Sequence, residues 1–74
     1  MNKYRFLEVL INKNISQRRL AKKIGVNKDT LNNWINGNTF PTIDKIIDLC
    51  IALDITDPDM IIRIFFPQLM LSDK

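Results

Sequence analysis

Between Ser16 and Gly37 the chain reads SQRRLAKKIGVNKDTLNNWING, a stretch that starts, stops and restarts a helix. No other segment constrains the fold as tightly. Ile15-Ser16 precedes Leu20, and Val26-Asn27 precedes Leu31. In both places a polar N-cap residue stands between an apolar N′ residue and an apolar N4 residue, the arrangement called a hydrophobic staple. Ser16 and Asn27 are therefore expected to open helices. Gly25 follows Ile24 directly, where a residue without Cβ takes the left-handed conformation that ends a helix. A turn of about 3 to 4 residues then leaves the second helix crossing the first steeply.

Helical periodicity extends over the rest of the chain, and no segment makes a persuasive strand. A first helix is predicted over residues 3–12, with Phe6, Leu7, Leu10 and Ile11 facing inward and Asn12, Lys13 and Asn14 closing it. The second, 17–24, contributes Leu20, Ala21 and Ile24 to the core, the small Ala21 allowing close approach of its neighbour. The third, 28–36, buries Leu31, Trp34 and Ile35 and ends at Gly37. Thr42 caps a fourth helix with Asp44 in its first turn and an inward stripe of Ile43, Ile46, Ile47, Cys50 and Leu53. Asp57-Pro58 reads as N-cap and N1 proline of a fifth helix carrying Met60, Ile61, Ile64 and Phe65, interrupted by Pro67. The expectation is an all-α, five-helix bundle forming a single domain over residues 1–74.

Charge is distributed unevenly. Residues 1–38 hold eight cations (Lys3, Arg5, Lys13, Arg18, Arg19, Lys22, Lys23, Lys28) against Glu8 and Asp29, a net +6. Residues 39–74 hold Lys45, Arg63 and Lys74 against six aspartates, a net −3. A polyanion partner at the basic face accounts for such a split, and so does an ordinary solvated surface. One cysteine, Cys50, excludes an intramolecular disulfide and fits a buried reduced thiol, hence a cytoplasmic location. No run reaches the roughly 18 apolar residues of a membrane span, and no secretory cleavage site is visible. With no histidine and a single cysteine, the usual zinc sites and His-dependent nucleophiles are missing. There is no Gly-rich phosphate loop, and the carboxylates fall mainly at helix starts and turns, where capping explains them. Neither an enzyme nor a cofactor or metal protein is expected.

Taken together, Ser16-Gln17, Leu20-Ala21, Lys23, Gly25-Val26, Thr30-Leu31, Trp34, Gly37, Pro41 and the apolar helix ending at Leu53 resemble the Cro and phage-repressor family, the Xre-type regulators. The resemblance covers about residues 4 to 56. It implies a lambda-repressor-like helix-turn-helix bundle of phage or mobile-element origin. Its third helix would read base edges of double-stranded DNA while the start of the second grips the phosphate backbone. Carried over residue by residue, Lys28, Asp29 and Asn33 take base-contacting positions and Asn36 a phosphate-contacting one. Asn32 lies on the same face. Chemistry agrees: asparagine binds adenine in a bidentate way, lysine donates to guanine, and aspartate accepts from cytosine. Asn32-Asn33 are two poor helix formers in sequence, which a stability argument alone does not justify, although a polar solvent face is the plainer account. Arg18 and Arg19 oppose the macrodipole at a helix start, a cost that bound phosphates would offset. Ser16 and Gln17 add neutral donors there, and Asn38 joins the backbone-contacting set.

Two departures from the family pattern stand out. Ile35 and Leu10 occupy positions where relatives pair an acid with a first-helix partner, so an apolar contact is expected instead. The tail, residues 60–71, carries more apolar surface than one short helix should bury, and Ile61, Ile62, Phe65, Phe66, Leu69 and Met70 are the expected protein interface. Two occupants lead to different functions. A second copy would give a Cro-like homodimer on a pseudo-palindromic operator, with half-sites about 34–36 Å apart. A different repressor protein bound there would make the chain an antirepressor or modulator with weak or secondary DNA binding. The lack of a second domain argues against a repressor with its own sensory module.

Overall fold

A computed structural model describes residues 1–69. Five helices follow in order: α1 (Lys3–Lys13), α2 (Gln17–Ile24), α3 (Lys28–Ile35), α4 (Ile43–Leu53) and α5 (Pro58–Phe65). Each starts on a side-chain cap. The Ser16 Oγ accepts the Arg19 amide at 3.1 Å, Asn27 Oδ1 the Thr30 amide at 2.8 Å, and Thr42 Oγ1 the Lys45 amide at 3.3 Å. Asp57 Oδ1 accepts from Asp59 at 3.0 Å, and Asn2, which the sequence reading did not single out, caps α1 at Arg5.

The stops of α1 to α4 share one motif. After α2, the Gly25 amide donates to the Lys22 carbonyl at 3.3 Å and Val26 to Ala21 at 3.0 Å, a Schellman closure with Gly25 at φ 79°. The same pair of bonds closes α3 at Gly37, φ 81°. It closes α1 and α4 at Asn14 and Asp54, side-chain-bearing residues held left-handed at φ 55° and 56°. Helix limits thus come from local chemistry at both ends, and the turn between α2 and α3 is only Gly25, Val26 and Asn27.

The core joins all five helices through Phe6, Leu10, Leu20, Ala21, Leu31, Trp34, Ile35, Ile46, Leu49, Leu53, Ile64 and Phe65. Phe6 meets Phe65 edge-on with ring centroids 6.3 Å apart, pinning α5 to α1, and the Asn2 amide donates to the Ile64 carbonyl in the same seam. Ala21 is buried where α2 packs against both α3 and α4, as its small volume allows. Leu10 and Ile35 are both buried in this core, in keeping with an apolar replacement for the family's ion pair.

Several expected inward residues point outward. Ile11 is 77% exposed, and Val9 takes the buried place on α1 instead. On α4, Ile43 and Ile47 are 62% and 50% exposed and Ile51 is 74% exposed, whereas Leu49, not in the expected stripe, is fully buried. The reason is geometric. α4 is apolar over most of its circumference, so packing against α1 and α2 selects the face with Ile46, Leu49 and Leu53. Residues 43, 47 and 51 follow each other at four-residue spacing and form one outward ridge. The tail is corrected in the opposite sense. Phe65 has no exposed surface and cannot serve an interface, Ile61, Ile62 and Phe66 are half-buried, and Leu69 is exposed. Met70 lies outside the described residues.

Candidate nucleic-acid interface

The helix pair α2–α3 presents the predicted polar surface as a consequence of which residues its core consumes. Leu31, Trp34 and Ile35 turn one side of α3 inward, which leaves Lys28, Asp29, Asn32, Asn33 and Asn36 exposed on the rest. Trp34 is a core residue, and among the described residues no buried side-chain polar atom lacks a partner. Lys28 and Asp29 occupy the first two helical positions of α3, where Asp29 complements the helix dipole.

At the start of α2, Ser16, Arg18 and Arg19 are exposed and Gln17 half-buried. The Ser16 hydroxyl is occupied with the Arg19 amide, so Ser16 can approach a phosphate only while holding its cap. Among the described residues the one ion pair is Lys45–Asp48 at 3.6 Å, so Arg18, Arg19, Lys22, Lys23 and Lys28 have no internal counter-charge. Lys22 and Lys23, which were not among the expected contacts, border a shallow hollow with Ile15 and Arg19. They sit in the last turn of α2, where cations suit the dipole, so they have a structural justification that Arg18 and Arg19 lack.

Asn33 and Asn38 are brought together. The loop after Gly37 folds back so that Asn38 Nδ2 donates to Asn33 Oδ1 at 3.2 Å. Asn36, by contrast, lies at the end of α3 as its C-cap, with its backbone amide donating to Asn32 at 3.0 Å. A further support has no signal in the sequence: Lys45 Nζ donates to the Ile24 carbonyl at 3.4 Å, placing a cation at the C-terminus of α2 from a residue twenty-one positions on. Only the packed fold reveals that contact.

Cys50 lines an apolar groove between α4 and the start of α5 together with Ile46, Ile47, Ile51, Ile55 and Ile61. Partial burial there pushes its thiol pKa up, away from the reactive thiolate. Among the described residues no helix is long and apolar enough to cross a membrane.

The model of a helix-turn-helix family matches residues 7–61, the span from the middle of α1 into α5. No curated protein and no solved structure matches the chain. With the match covering most of the sequence and the two capped helices meeting at Gly25 as that family requires, the chain belongs to the Xre-type helix-turn-helix family of Cro- and repressor-like DNA-binding regulators.

Proposed function

We propose that the chain is a Cro-type, sequence-specific regulator that binds a pseudo-palindromic operator as a homodimer, with α3 in the major groove. The observation that carries this reading is the combination at α2–α3: unpaired arginines at a helix start, where they cost stability, beside an outward helix face rich in asparagine. Lys28, Asp29, Asn32 and Asn33 are the base-reading residues in this account. Ser16, Gln17, Arg18, Arg19, Asn36 and Asn38 contact the backbone.

The dimer surface in this proposal shifts from the tail to α4. Ile43, Ile47 and Ile51 offer a continuous apolar ridge, bordered by the groove that reaches Ile61. Phe40 extends the apolar surface beside the tail through its ring contact with Phe66, centroids 5.9 Å apart. Ile62 and Leu69 are peripheral to it. A small domain with this much uncovered apolar side chain gains by pairing.

The test is selection of random double-stranded oligonucleotides by the purified protein at near-physiological salt, followed by sequencing. A two-fold symmetric motif is the expected result. Enrichment of no motif, with only weak salt-sensitive binding, would overturn it in favour of a modulator that uses the α4 ridge to hold another repressor.

A further inference from the structure

The Asn33–Asn38 pair joins a residue on the outer face of α3 to one outside the helix. Gly37, left-handed at φ 81°, reverses the chain, so that the Asn38 amide donates to the Asn33 carbonyl at 2.9 Å and the Thr39 amide donates to it at 3.4 Å. The Asn38 side chain then reaches Asn33 and donates Nδ2–H to its Oδ1 at 3.2 Å. Among the described residues, Asn32 has no comparable side-chain partner.

A primary amide has two acceptor lone pairs on oxygen and two N–H donors on nitrogen. Engaging one lone pair of Asn33 restrains the rotation of its carboxamide and spends neither N–H. One lone pair and the Nδ2 donors remain for a ligand, which is the donor-acceptor pattern that a bidentate contact with adenine N7 and N6 requires. A freely rotating amide presents that pattern in one orientation and its reverse in another. We propose that Asn38 is a positioning residue for sequence recognition: its side-chain bond restrains the rotation of the Asn33 amide before DNA arrives, and so sharpens the base preference of Asn33. This rests on the reading of Asn33 as a base contact and changes the role of Asn38, which acts through Asn33 instead of through a phosphate.

The experiment measures binding of the full chain to its selected operator and to all single-base variants, over a series of salt concentrations. Wild type, Asn33→Ala, Asn38→Ala and the double variant are compared. Asn38 is exposed and the helix stop uses only its backbone, so Asn38→Ala should keep the fold, which circular dichroism checks. The expected result is a loss of discrimination of about two- to tenfold, the range set by the net worth of one hydrogen bond. It should be confined to the base pair that Asn33→Ala also relaxes, with the salt slope unchanged and no further loss in the double variant. A uniform loss across all sequences with a shallower salt slope would make Asn38 a phosphate contact and overturn the proposal. Additive losses in the double variant would do the same. If Asn33→Ala leaves every base preference intact, the reading of Asn33 fails first and the proposal falls with it.

Discussion

Arg18→Ala should move folding stability and DNA affinity in opposite directions. Arg18 is the second helical residue of α2, exposed, with no ion-pair partner among the described residues. Its charge faces the positive end of the helix dipole, so its removal should stabilise the free protein by about 0.3–1 kcal/mol. For a domain this small, that is a rise in Tm of about 2–6 °C. On DNA the same arginine displaces one counterion per half-site, so its loss should lower the salt slope by about 0.9 per protomer and about 1.8 for a dimer on a full operator. Between 50 and 200 mM salt, the variant should therefore lose about twelvefold less affinity than wild type. Fluorescence anisotropy on operator and random duplexes across a potassium chloride series gives the slopes, and thermal unfolding followed at 222 nm gives the stability. Operator and random DNA should suffer equally. A variant less stable than wild type, or one with an unchanged slope, would refute the assignment of Arg18 as a cation kept for phosphate.

Two further substitutions probe other parts of the fold. Asp54 carries a side chain in the left-handed region and a negative charge at the C-terminus of α4. Asp54→Asn should gain about 0.3–1 kcal/mol by removing the charge, and Asp54→Gly a few tenths more by relieving the backbone, as read from urea unfolding. Ile47→Asp should leave a folded protein that sediments as a monomer and binds the operator at least about a hundredfold more weakly, since the two half-sites no longer bind as one. Phe65→Asp should instead abolish folding, because the loss of about 3–5 kcal/mol of packing and the burial of a carboxylate exceed what a small domain holds in reserve.

Helix ends were legible because their signals are local. Ser16, Asn27, Thr42 and Asp57 each act within three residues of their own position, and Gly25 and Gly37 adopt the conformation that suits a residue without Cβ. The inward face of α3 was equally clear, because Leu31, Trp34 and Ile35 are its only large apolar residues. α4 offered no such contrast. Ile43, Ile46, Ile47, Leu49, Cys50, Ile51 and Leu53 surround it, and which of them is buried depends on where α1 and α2 approach. Ile11 and Val9 changed places on α1 for the same reason. Phe65 reads as surplus in the sequence because its partner, Phe6, lies at the far end of the chain. The exposure of the outward residues of α3 follows from the sequence, but the Asn33–Asn38 bond depends on the geometry of the reversal at Gly37, and the Lys45–Ile24 bond on the packing of α4 beside α2. Neither follows from residue type or spacing.

The closures of α2 and α3 are made almost entirely by backbone amides and carbonyls, with Ser16, Asn27, Gly25 and Gly37 as the few side-chain requirements. The side chains of Lys28 and Asn32 carry no part of that fastening among the described residues, and that of Asp29 adds only its favourable charge at the helix start. On the proposed reading of α3, its outer face is therefore free to drift in evolution at little cost in stability, about 0.3–1 kcal/mol for the Asp29 charge, and a lineage built on this frame could acquire new operators by exchanging three side chains. Asn33 is the exception. Because its amide is tied to Asn38, a change at either position alters the other's surroundings, and heritable variation there should come in pairs.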